Sequence, residues 1–127
     1  MAVTATINTL AVNTLGVITA SAATSSVANA TEVFTITPTV RDQDVLLTIN
    51  NVAADQGTVT YSIAAGGLWA AGAVSTGSVA QGVSSGIILE GAKYKSSTGT
   101  YVITFTPATG KRLLTDHAMT MQVIQLP

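Results

Sequence analysis

Cysteine is absent from the chain's 127 residues. That excludes disulfides and thiolate metal sites and leaves the redox compartment unread. Small secreted domains are often dense in disulfides, so the absence points towards a protein assembled inside a cell. Charge is scarce as well. Only 9% of residues are Asp, Glu, Lys or Arg, against roughly a quarter in ordinary globular domains. The basic residues, Arg41, Lys93, Lys95, Lys111 and Arg112, are spread out and the net charge is -1. No basic patch is available to neutralise phosphates, so no nucleic-acid partner is expected. Aromatics are few, and a glycan platform of several exposed rings has only Trp69, Tyr94 and Tyr61 to draw on. No apolar run approaches the roughly 18 residues of a membrane span, and no membrane partner is expected. The N-terminus lacks the charged and continuously apolar regions of a signal peptide. Helix signals are nearly missing; residues 111–118 have room for one helical turn at most.

What is present is a chain of small apolar side chains and hydroxyls. Apolar residues reach 47%, which separates it from a disordered composition of low hydropathy and high net charge. The length suits one domain with one core. The clearest element runs from Gly99 to Pro107. Tyr101, Ile103 and Phe105 alternate with Thr100, Val102, Thr104 and Thr106, and that period of two marks a half-buried strand.

Other strands follow the same pattern. Val3, Ala5 and Ile7 alternate with Thr4, Thr6 and Asn8. Phe34 and Ile36 share a face in a strand that ends at Pro38. Val45, Leu47 and Ile49 alternate, then Val59, Tyr61 and Ile63, and these two runs are expected to pair as an antiparallel hairpin. Residues 64–85 are glycine-rich and read as an exposed connection or short, irregular edge strands. Trp69 lies within them, as a lid over the core or as a binding platform. Met119, Met121 and Val123 share a face, and a change of phase at Ile124 and Leu126 predicts a bulge or an exit from the sheet. Many short strands with turns about every ten residues indicate an all-β sandwich or barrel.

Catalytic signatures are missing. His117, the single histidine, stands beside Asp116, but sequence adjacency does not assemble a triad. It reads as a loop or strand-start residue. Asp42, Asp44 and Asp55 read as turn formers, with a Ca²⁺ cluster at one end of the hairpin as the alternative. The glycines form no phosphate loop. No catalytic residue, cofactor or metal site is assigned, and an enzyme is not expected.

Residues 1–30 are expected to be an N-terminal arm or edge strands, and residues 31–127 the β-sandwich domain. The latter resembles an immunoglobulin-like antiparallel sandwich. Gly99-Thr100-Tyr101 is similar to the Gly-x-Tyr opening strand F, whose tyrosine hydroxyl ties back to backbone. Ile49 and Ile103 stand where the paired cysteines of an antibody domain stand, and Tyr61 stands near its core tryptophan. In layout the whole chain resembles the small decoration (cement) proteins of tailed-phage capsids. Gly66 to Gly72, Tyr94 to Pro107 and the Met-Gln-Val-Ile-Gln-Leu-Pro ending carry that resemblance.

The resemblance implies a virion protein made in the host cytoplasm. It would bind the major capsid protein on the capsid surface, with a homo-oligomer such as a trimer as a further expectation. An uncharged, β-branched arm can add as a strand to a partner sheet. The contact is therefore placed on Val3, Ile7, Leu10, Leu15 and Val17 of the arm and on Trp69. Deleting residues 2–25 is expected to abolish binding and leave the domain folded. Two rivals are a self-assembling tube, pilus or surface-layer subunit, and a glycan-binding module anchored by Trp69.

Overall fold

The structure, a computed structural model, describes residues 2–67 and 75–127. Among these residues ten strands build two packed sheets: β1 (Ala2–Thr4), β2 (Ile7–Thr9), β3 (Ser21–Ala22), β4 (Glu32–Ile36), β5 (Val45–Asn51), β6 (Val59–Ile63), β7 (Ser75–Val79), β8 (Val83–Ile87), β9 (Tyr101–Thr106) and β10 (Thr120–Gln125). A 3₁₀ turn at Asp42–Asp44 and a single helical turn, α1 (Gly91–Tyr94), complete the elements. One sheet has the order β1-β4-β9-β6-β7. The other runs β2-β10-β5-β8, with β3 also on β10. The protein is an all-β sandwich.

The period-two pattern puts the core where the alternation predicts it. Phe34 and Ile36 of β4, Leu47 and Ile49 of β5, Val59 and Ile63 of β6, and Tyr101, Ile103 and Phe105 of β9 are buried between the sheets. The Phe34 and Phe105 rings meet edge to face with centroids 5.2 Å apart, the arrangement that ring quadrupoles favour. β9 is central, flanked by β4 and β6.

Several expectations are corrected. β5 and β6 are not a hairpin: β5 pairs with β10 and β8, while β6 pairs with β9 and β7. The connection at residues 52–58 crosses between sheets, so both strands bury their apolar faces against each other's layer rather than side by side. β10 contains no bulge; of the two readings of its phase change, the exit from the sheet holds, since the strand ends at Gln125 and Leu126 is exposed. The strand's register against β5 is unbroken from Thr120 to Gln125, and its inward face continues from Met121 and Val123 to a buried Gln125. Alternation hid this because the last inward residue is polar. Asp42 and Asp44 precede β5 and Asp55 follows it, so the strand's length separates them and they form no cluster.

β5–β8 and β9–β6 pair antiparallel, as strands B–E and F–C do in immunoglobulin domains. The outer strands differ from that order. β4 lies beside β9 and β10 beside β5, so the immunoglobulin strand order is not reproduced. Tyr101 bonds chiefly to a side chain, where the resemblance implied a tie to backbone. Its hydroxyl donates to Asp42 Oδ1 at 3.0 Å and points at the Leu89 carbonyl at 3.5 Å.

The first residues are folded into the domain. β1 runs parallel to β4, and β2 runs parallel to β10, so the sheets are mixed rather than purely antiparallel. A single extended segment changes sheets at Ala5, which is buried in the core. Ala5 N still donates to Thr35 O at 2.9 Å, and Thr6 N donates to Ser21 Oγ at 2.8 Å.

Candidate functional site

Among the described residues, the connection between β2 and β3 carries the most exposed large apolar side chains. Its base is pinned by Asn8, which is buried. The Asn8 side-chain amide donates to Thr19 O at 3.0 Å and to Val123 O at 2.9 Å, and its Oδ1 accepts from Thr19 N at 2.7 Å. One side-chain amide thus pairs with Thr19 as a backbone peptide would in a ladder. Leu10 N donates to Gln125 O at 2.9 Å on the other limb. The chain turns at Asn13, whose φ of 57° is left-handed, a conformation asparagine tolerates better than most residues. Gly16 packs against Leu10 so closely that a Cβ there would lie 2.8 Å from Leu10 Cδ2.

Above this base the finger is apolar and exposed. Leu15 is 101% and Val17 88% exposed, with Val12 at 69%. Residues 2–31 contain no charged side chain. Isolated exposed leucines are ordinary; here three large apolar side chains stand exposed on one short, uncharged segment with a pinned base.

Among the residues assigned to partner contact by sequence, Leu15 and Val17 project from this finger. Leu10 is half-buried beneath it. Val3 and Ile7 are half-buried and packed against the core, so they hold the arm to its own domain. Their alternation marked them as strand residues; it carried no information on whose sheet they would join. Trp69 lies outside the described residues.

Three other polar features draw on the structure rather than on a partner. Glu32 is fully buried. Its carboxylate accepts from Thr24 N at 2.9 and 3.0 Å, from Ser25 N at 3.2 Å and from the Thr24 hydroxyl. It therefore ties β4 to the segment after β3. His117 is fully buried too. Its Nε2 accepts from Ala108 N at 3.1 Å, so Nδ1 carries the proton and donates to Asn51 Oδ1 at 3.1 Å. Burial holds its imidazole below the ordinary histidine value, with Lys111 adding to the effect and Asp116 opposing it.

The third feature is a cleft of about 390 Å³ beside Asp42, Leu89, Glu90 and Gly91. Lys95 Nζ lies 2.6 Å from Asp42 Oδ1. That bond, ahead of the one from Tyr101, holds the Asp42 carboxyl below the usual carboxylate range, against the opposing effect of burial. Burial, then Asp42, pushes the Tyr101 phenol up. A Cβ on Gly91 would collide with the Asp42 carboxylate, so glycine is what lets this cluster close. Among the described residues no group of three or more His, Cys, Asp or Glu could hold a metal ion. Sequence reasoning missed the Asn8 clamp and the Asp42–Lys95–Tyr101 cluster, because each joins residues distant in the chain without a motif.

Comparison with protein families, curated proteins and solved structures finds no match to this chain. No helix among the described residues is long and apolar enough to cross a membrane.

Proposed function

We propose that this protein is a structural, non-enzymatic part of a larger protein assembly, and that the assembly is the outer surface of a tailed-phage capsid. The finger carries the docking role. It holds Leu15 and Val17 in water on a clamped base, where burial against a partner would contribute roughly 1.5–3 kcal/mol for each side chain. A pinned loop also loses little conformational freedom on binding, which favours affinity.

The capsid setting rests on the resemblance in layout. In such an assembly the finger has two receivers available, the major capsid protein and a neighbouring copy of this chain. Many copies that bind only the assembled shell stabilise it by mass action. The titratable groups support a structural role. Both ring nitrogens of His117 are engaged in internal bonds, and Tyr101 and Lys95 are held by Asp42.

Co-sedimentation of the purified chain with assembled tailed-phage capsids, and with unassembled capsid subunits, tests the reading. Saturable binding to assembled capsids, lost in Leu15→Asp/Val17→Asp, is expected. Absence of binding by the unmodified chain, or undiminished binding by the double variant, would refute it.

A further inference from the structure

We infer that the finger's receiver is the β7–β8 edge of a second copy of this chain, so that copies link head to tail. The inference rests on reading the finger as the docking element and names its partner.

The first argument is an uncovered strip of core. Val83, Ser85 and Ile87 of β8 lie opposite Asn51, Ile49 and Leu47 of β5. Directly opposed residues share a face of the sheet, and those three β5 residues are buried. The β8 partners therefore point towards the interior. Yet Val83 is 40% exposed and Ser85 is exposed as well. A slot of about 220 Å³ opens there, walled by Ile49, Ile87 and Tyr61 with Ser78 and Ser85 at its lip. Its apolar walls and neutral hydroxyls suit a branched aliphatic side chain.

The second argument is an unguarded edge. Among the described residues β8 pairs with β5 alone. Exposed edges are usually blunted by charge, proline or a bulge, because unpaired backbone groups recruit further strands. The β8 sequence Val-Ser-Ser-Gly-Ile has no charge and no proline, and its register against β5 is regular. No charged residue occurs from Gln56 to Leu89.

The finger matches both features. Leu15 and Val17 are two apart, so in an extended segment they share a face. Added along β8, that segment bonds through its main chain while Leu15 and Val17 enter the slot, the division of labour seen in strand addition generally. Neither surface carries charge to repel or steer the other.

The geometry makes the contact intermolecular. The finger leaves from the β2–β3 edge, and β10 and β5 separate that edge from β8. A contact between opposite edges of one sheet is heterologous, so it closes as a ring of three or more copies or continues as an open chain. Reciprocal exchange within a pair is not available to it.

Native mass spectrometry of the full chain across a concentration series tests this, with two variants: finger-blocked Leu15→Asp/Val17→Asp and edge-blocked Ser85→Lys. Both variants are expected to unfold thermally with the parent's cooperativity, which is measured alongside. The unmodified chain is expected to form species of three or more copies that persist at high salt, and each variant alone is expected to be a monomer. An equal mixture of the two variants has one intact finger and one intact edge, and is expected to stop at a heterodimer. A symmetric dimer of the unmodified chain, oligomers indifferent to either variant, or a mixture that stays monomeric would overturn the inference. An unmodified chain that stays monomeric and binds capsids through its finger would also overturn it, while leaving the proposed function standing.

Discussion

The two sides of the sandwich are finished in opposite ways. On one side the N-terminal segment straps both sheets: β1 along β4, then β2 and β3 along β10. Buried polar side chains lock the strap. Asn8 holds Thr19, Glu32 holds Thr24 and Ser25, and Gln125 accepts from Thr39 N at 2.8 Å while donating to Thr9 Oγ1 at 3.1 Å. On the other side β7 and β8 end their sheets with small residues, and the slot lies between them. The strapped side shows how a chain with few large apolar residues closes an edge. It uses buried amide and carboxylate groups whose hydrogen bonds are nearly all satisfied, and such groups are costly only when left unpaired. Among the described residues the open side has one end held in this way, where the buried Asn51 amide donates to Val79 O at 3.1 Å and to Gly57 O at 3.0 Å, while β8 pairs with β5 alone.

The largest expected effect comes from removing the strap. Deleting residues 2–25 takes away β1, β2, β3 and the buried Ala5 and Ala23, and it leaves Glu32 a buried carboxylate without its donors. The truncated chain is expected to lose cooperative thermal unfolding, measured by circular dichroism. The sequence alone led to the opposite expectation, a truncated domain that stays folded, and the same measurement decides between them. Glu32→Ala isolates the polar part of the strap. It leaves two backbone amides and a hydroxyl unpaired and should cost about 3 kcal/mol, since bonds to charged groups contribute more than neutral ones. A drop in melting temperature on the order of 10 °C is expected. A variant as stable as the parent would erase the distinction between the two sides.

His117 lies between the two in consequence. His117→Ala empties a buried ring and leaves Asn51 Oδ1 and Ala108 N without partners, so about 2 kcal/mol should be lost. The same residue gives the fold a pH dependence. Its folded value is below the ordinary 6.5, so the folded state binds the proton less readily than the unfolded chain. Its contribution is complete above that ordinary value and is lost as pH falls through the depressed folded value. Urea midpoints measured from pH 7.5 down to 5 should fall in the parent and flatten in His117→Ala.

On the open side, a smaller change is expected from Gly77→Ala. The added methyl meets the Tyr61 hydroxyl and ring, so Tyr61 must shift. Overpacking of this kind costs about 1 kcal/mol. A denaturation midpoint shift larger than that of His117→Ala would mean that this edge is packed as tightly as the strapped one.

How much of this was legible in the sequence follows from the same contrast. The core strands were, because β4, β5, β6 and β9 alternate apolar and polar residues and bury the expected face. Their partners were not. Alternation fixes which face is buried and is silent on which neighbour lies alongside, which is why β5 and β6 read as a hairpin. The strap was half legible. Val3, Ala5 and Ile7 read as a strand, but their change of sheet at Ala5 depends on Ser21, Thr35 and Gln125, far along the chain. Leu15 and Val17 were placed at a contact surface by sequence, and among the described candidate residues they are the most exposed.

The smallest expected effect on stability is at those two positions, and it is the one that separates folding from docking. Leu15 and Val17 contribute almost no buried area within their own chain, so replacing both with Asp should change the unfolding free energy by no more than about 0.5 kcal/mol. The Asn8–Thr19 clamp lies below them and is untouched by the change. A strap residue of similar size behaves otherwise: Ile7 packs on the core, and Ile7→Asp buries an unpaired charge, so it should cost several-fold more. The pair of urea midpoints decides the matter. A large loss for Leu15→Asp/Val17→Asp would mean that the finger folds back on its own domain and serves the strap. A negligible loss, beside a large one for Ile7→Asp, divides residues 1–30 into a strap that holds the fold and a finger that the fold holds out.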